Sequence, residues 1–137
     1  MDETRLYLSV AEFGADPSVV TEFLGLKPTF AAAAGEPLPH RPAMRRKHGR
    51  WEFGSPLAVT ESVAAHLVAL LPMLEQRAEL IRALHSKYAA LLQCVIYVRE
   101  GRNPGFDLPG ELLARVAALG LSLDFDIYCL GSEEPPT

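Results

Sequence analysis

The sequence predicts an α+β fold, a two-layer domain in which helices pack on one face of a mostly antiparallel five-stranded sheet. Three observations predict it. Segments with apolar period two and segments with a period near 3.6 follow one another as β-α-β-β-α-β-α-β. Only one strand segment is apolar on both faces, so most of the sheet buries a single side. The chain has 137 residues, 49% hydrophobic and 22% charged, which suits one core without metal or disulfide staples. A ferredoxin-like core with an added α-β unit is the topology this order predicts, with residues 1–131 as one domain and 132–137 as a flexible polar tail.

Each element has a local reason. In "TRLYLSVAEF" Leu6, Leu8 and Val10 alternate with Arg5, Tyr7 and Ser9, the pattern of a half-buried strand. "DPSVVTEFLGL" reads as a short helix capped by Asp16, opened by Pro17 and stopped by Gly25, with Val20, Phe23 and Leu24 inward. "KPTFAAAAGEP" leaves room for only a brief strand between its prolines. Residues 36–50 hold three prolines and no apolar periodicity, which predicts a long exposed loop, and "RWEFGS" returns as a strand with Trp51 and Phe53 on one side.

From Thr60, read as a cap, apolar residues from Val63 to Leu84 recur at three- and four-residue steps, giving the main helical segment. Pro72 removes an amide and crowds the carbonyl of Val68, predicting a kink or a split there. "ALLQCVIYVRE" is the two-faced, central strand. "DLPGELLARVAALG" follows as a helix with Leu112, Leu113, Val116 and Leu119 on its inner face and Gly120 as its stop. "LSLDFDIYCL" is the last strand, in which Leu121, Leu123, Phe125, Ile127 and Cys129 share one face.

Charge is segregated. Residues 40–50 contain Arg41, Arg45, Arg46, Lys47 and Arg50 and no acid, whereas the whole chain carries −4, so the remainder carries −9. This basic island is the first candidate site, reaching for an acidic protein surface or, with Trp51 as a stacking ring, for nucleic acid. The acidic body opposes a polyanion, and strand alternation takes Trp51 into the core, so a protein partner is the leading expectation. Asp124 and Asp126 form the second. Two apart on a strand, they project from one face about 6.5–7 Å apart, a spacing that suits a divalent cation or small ligand. Arg5 and Tyr7 become their structural partners if the terminal strands are neighbours.

Other chemistry is missing from the pattern. His40, His48, His66 and His85 make no metal-ligand spacing, and no phosphate loop, dinucleotide fingerprint or nucleophile elbow occurs. Cys94 and Cys129 both lie in apolar runs and read as buried thiols. The expectation is a non-enzymatic protein without cofactor or metal, cytoplasmic, with no membrane span, acting through a protein partner or as a homodimer.

The chain resembles a bacterial family of domains of unknown function, family 4279. The resemblance is carried by "LGLKPT", by "GE" at Gly35 and Glu36, by "HGRWEF" at 48–53 and most specifically by "NPGFDLPGELLARVAALGLSLDFDIY" at 103–128. It implies a small stand-alone α+β domain and supplies no activity, cofactor or catalytic residue to carry over.

Overall fold

The computed structural model describes residues 2–131. The alternation in the first segment builds strand β1 (Glu3–Ala11), which buries Leu6, Leu8 and Val10. Helix α1 (Ser18–Leu24) begins where Asp16 accepts the Ser18 amide at 2.9 Å and ends at Gly25, whose φ of 67° few side chains tolerate. Strand β2 (Phe30–Ala32) follows.

The region expected as a loop over 36–50 instead contains a hairpin, β3 (Pro37–Leu38) and β4 (Arg41–Arg45). Apolar alternation could not reveal it, because every β4 residue is exposed and the pairing is carried by the backbone alone. An isolated two-stranded hairpin is marginal in water. This one is clasped at its base, where Gly35 donates to the Arg46 carbonyl and Arg46 to that of Glu36, each at 2.8 Å. The Arg45 guanidinium adds a bond to the Gly35 carbonyl at 2.9 Å.

Strand β5 (Arg50–Gly54) leads into helix α2 (Val63–Glu75), whose cap is Ser62 rather than Thr60: its hydroxyl accepts the Ala65 amide at 3.1 Å. Pro72 lies inside α2 and does not split it. Both Pro72 and Val68, whose carbonyl loses a donor, are on the exposed side of the helix, where a carbonyl left without its amide is least costly. The helix ends three residues later, at Glu75, and Arg77 explains where. Its guanidinium donates to the carbonyls of Leu24 at 2.9 Å and Gly25 at 3.1 Å, closing the end of α1 from across the fold. Helix α3 (Ala78–Ala83) and a 3-10 turn (Leu84–Ser86) continue to strand β6 (Ala89–Arg99). Helix α4 (Gly110–Ala118) buries Leu112 and Val116 but leaves Leu113 exposed, and β7 (Leu123–Leu130) closes the order.

The main sheet runs β2-β5-β1-β6-β7. β5 is antiparallel to both β2 and β1, and β1 to β6, while β6 and β7 are parallel through the α4 crossover. All the helices cover one face. Trp51, Leu8, Leu92 and Ile96 point into that layer and meet Val20, Leu67, Leu70, Leu74, Ile81 and Val116. Trp51 is fully buried, and its indole N–H donates to Thr21 Oγ1 at 3.0 Å, joining β5 to α1. The last strand departs from expectation toward its end: Ile127 and Cys129, on the helix side by register, are exposed because β7 is the sheet edge and no helix among the described residues covers them. Cys94 is buried as predicted.

Candidate functional site: the uncovered sheet face

Among the described residues the second face of the sheet has no helical layer, and strand register fixes what stands on it. Residues directly paired across a sheet share a face, so rows can be read outward from β1. One row is Phe30, Glu52, Ser9 and Leu91; the next is Gly54, Tyr7, Gln93 and Asp124; the next is Arg5, Val95 and Asp126; and Tyr97 pairs with Tyr128. Phe30 is 40% and Tyr128 50% exposed, and the Tyr97 and Tyr128 rings stack at 5.4 Å. Large rings left in water on one side of a sheet are the informative exception to ordinary burial.

The terminal strands are not neighbours, so Arg5 and Tyr7 do not pair directly with the aspartates, and the Asp126 charge reaches Tyr7 only as a minor influence. β6 lies between β1 and β7, so Val95 separates Arg5 from Asp126 and Gln93 separates Tyr7 from Asp124. Two strand spacings hold the backbones of these pairs about 9.5 Å apart. Gln93 takes the role instead, its amide donating to Asp126 Oδ2 at 2.9 Å. Asp124 and Asp126 do share a face, as predicted, and both are exposed. Among the described residues no group of three or more His, Cys, Asp or Glu is placed to hold a metal ion.

Arg5 has no ion-pair partner among the described residues. It borders a groove of about 380 Å³ where β1, β2 and β5 meet the 55–59 segment, with Tyr7, Phe30, Glu52, Ser55 and His66 around it. A shallower hollow of about 230 Å³ adjoins it over Arg50, Val95 and Tyr97. Gly54, beside Tyr7, contributes no side chain, which leaves the groove open at that row. Glu52 pairs with Arg50, yet burial outweighs the pairing and raises its carboxyl above the ordinary range. The Tyr7 hydroxyl is raised too, by burial and then by the Glu52 charge.

His66 is the residue that sequence reasoning undervalued. It is only 2% exposed, in the first turns of α2, and its Nδ1 lies 2.7 Å from Ser55 Oγ. Nε2 is buried and makes no hydrogen bond of good geometry among the described residues. Burial lowers the imidazole pKa and keeps the ring neutral. Its sequence signal was position alone, one residue before Leu67 on the apolar stripe of the helix.

The basic residues divide into three kinds. Arg50 is paired with Glu52, and Arg45 is tied to its own hairpin base. Arg46 lies over the Phe30 ring at 5.4 Å, which brings the root of the hairpin to the β2 end of the uncovered face. Arg41 and Lys47 are exposed and have no ion-pair partner among the described residues. The face is therefore basic at its β2 end, beside the exposed Phe30 ring, and acidic at its β7 end, beside the exposed Tyr128 ring. Trp51, expected in the core, does face the helices, so it offers nucleic acid no stacking surface.

Among the described residues no helix is long and apolar enough to cross a membrane. No curated protein and no solved structure matches the chain. Residues 2–130 match the family described as Domain of unknown function (DUF4279), and the chain belongs to that family.

Proposed function

We propose that this protein is a non-catalytic interaction module, acting as one domain over residues 1–131, whose basic hairpin and uncovered sheet face together dock an acidic protein partner. The observation that carries the reading is the pairing of two unpartnered surfaces: a hairpin strand exposed at every residue, rooted by Arg46 beside a sheet face without a covering layer. A clasped two-stranded arm presents Arg41 and Lys47 with less loss of freedom on binding than a flexible loop would. The acidic β7 end orients the partner, since like charges oppose there while opposite charges attract over the hairpin.

The strand arrangement supports a ferredoxin-like reading of the core. In β1-α1-β2 and β5-α2-β6 each connection passes over one intervening strand, and all three neighbouring pairs of these four strands are antiparallel. α4 and β7 then add one parallel unit.

The test uses two probes, labelled polyglutamate and a mixed-sequence single-stranded oligonucleotide, by fluorescence anisotropy at about 50 and 300 mM salt. The reading predicts salt-sensitive polyglutamate binding, weakened at least tenfold by Arg41→Glu with Lys47→Glu, and weaker binding of the oligonucleotide. Preference for the oligonucleotide would transfer the arm to nucleic acid, and indifference to the double substitution would remove it from the site.

A further inference from the structure

β7 is an edge strand of eight residues, paired on one side with β6 in unbroken register and on the other with nothing among the described residues. Natural edges are blunted by charged side chains, lysine above all, by proline, by bulges or by covering loops. β7 has no lysine, proline or bulge, and its two charges, Asp124 and Asp126, restrict which strand it can accept. On its helix side Ile127 is 44% exposed, Cys129 is exposed, and Phe106, itself 40% exposed, stacks on Phe125 at 5.2 Å. Tyr128 stands exposed on the other side. Such an edge is a template for another strand, and its own sequence says which strand fits.

Consider an antiparallel pair of two copies of β7 about a twofold axis. Opposed residues share a face, so each register is named by the residue that meets itself. Centring on Asp124 or Asp126 sets an aspartate directly against its own copy, and centring on Phe125 sets Asp124 against Asp126. Like charges directly opposed destabilise a sheet. Centring on Tyr128 is free of this clash but overlaps only residues 126–130. Centring on Ile127 overlaps residues 124–130 and opposes no acid to another: Asp126 meets Tyr128, Asp124 meets Leu130, and Phe125 meets Cys129. The nearest acidic contact left is the diagonal between the Asp126 residues, about 8 Å apart, near the screening length of physiological salt.

We propose that the protein forms a symmetric dimer by antiparallel pairing of β7 with β7 of a second copy, in the register that sets Ile127 against Ile127, giving one continuous ten-stranded sheet. Among the registers the strand offers, it is the longest in which the aspartates stay apart. The two Ile127 side chains meet on the helix side and cover the apolar surface that Phe106 and Phe125 begin. Dimerisation leaves the hairpins at opposite ends of the sheet, so this inference does not rest on the partner proposed above.

The register makes the test specific. Wild-type protein at about 100 µM should show by light scattering twice the mass of the 15.0 kDa chain, and Ile127→Lys should show a single chain with an unchanged circular dichroism spectrum. In a Cys129→Ser background, Ile127→Cys should form a covalent dimer on mild oxidation, because directly opposed antiparallel residues have Cα atoms about 4.5–5.5 Å apart, within disulfide reach. Tyr128→Cys in the same background should not, because that position faces Asp126. A single-chain mass for the wild type overturns the dimer whatever the variants do. A Tyr128→Cys cross-link stronger than that of Ile127→Cys overturns the register.

Discussion

Thr21→Val isolates the hydrogen bond that holds the only tryptophan of the chain in the core. Valine keeps the shape of threonine and deletes the oxygen that accepts from the Trp51 indole at 3.0 Å. Trp51 is fully buried, so its N–H is left without a partner in apolar surroundings. An unsatisfied buried donor costs about 1–3 kcal/mol, and the methyl gained returns part of that, leaving about 1–2 kcal/mol. Unfolding entropy of about 2.1 cal/mol/K per residue makes 1 kcal/mol worth about 3.5 °C in a chain this long. The expected fall in Tm is therefore about 4–7 °C, read by circular dichroism, with native tryptophan emission still shielded from iodide. A Tm within about 1 °C of wild type, or wild-type emission quenched by iodide as readily as free indole, would refute the placement of Trp51. That residue would then return to the list of surface rings able to stack a base.

Further outcomes follow from individual contacts. Arg115 grips Glu75 through bonds of 2.6 and 2.9 Å and holds that carboxyl below its ordinary value, but both side chains are more than a third exposed. Arg115→Met should therefore change stability little, because solvent screens the pair. The contribution is present above the ordinary carboxyl value of 4.5 and is lost as pH falls through the lowered one, so Glu75→Gln should flatten the acid limb of a Tm-against-pH curve. His66 acts in a higher window. Its ordinary value is 6.5 and burial lowers it in the fold, so the unfolded chain takes the proton first and stability declines as pH drops below 6.5. The difference curve between wild type and His66→Gln should show that slope, and a flat difference would contradict the neutral buried imidazole. Burial pushes the Cys94 thiol up to about 11, whereas Cys129 is exposed. In dilute native protein a thiol reagent should modify one cysteine, with the second reacting only on unfolding. At Gly49 an added Cβ would lie 2.6 Å from the Phe13 ring, so the buried ring must shift to admit it. Gly49→Ala should destabilise by about 1–3 kcal/mol in chemical denaturation.

Where burial wrote a period into the sequence, the elements could be read from it. Leu6, Leu8 and Val10, the stripe from Val63 to Leu84, and Gly25 and Gly120 as helix stops all fall where expected. The hairpin could not be read, because a pair of strands with nothing buried leaves no alternation, and its prolines and arginines look like those of a loop. The break after α2 was misplaced because its cause is Arg77 bonding to α1 some fifty residues away, whereas Pro72 sits on the exposed side of the helix. The candidate face was half legible. Strand parity put Arg5 with Tyr7 and Asp124 with Asp126 on polar sides, but only the strand order shows that β6 intervenes and that Gln93, not Arg5, meets Asp126. Nothing local marks an edge, so the exposure of Ile127 and Cys129 was out of reach.

The most direct test of the uncovered face and its basic arm is an amide chemical-shift titration of the uniformly labelled protein with an acidic peptide. The account predicts the largest shifts in β4, at Arg46 and Lys47, and at Arg5, Tyr7 and Phe30, with the helices unmoved. Shifts centred on α2 and α4, or none at a millimolar excess of peptide, would contradict it.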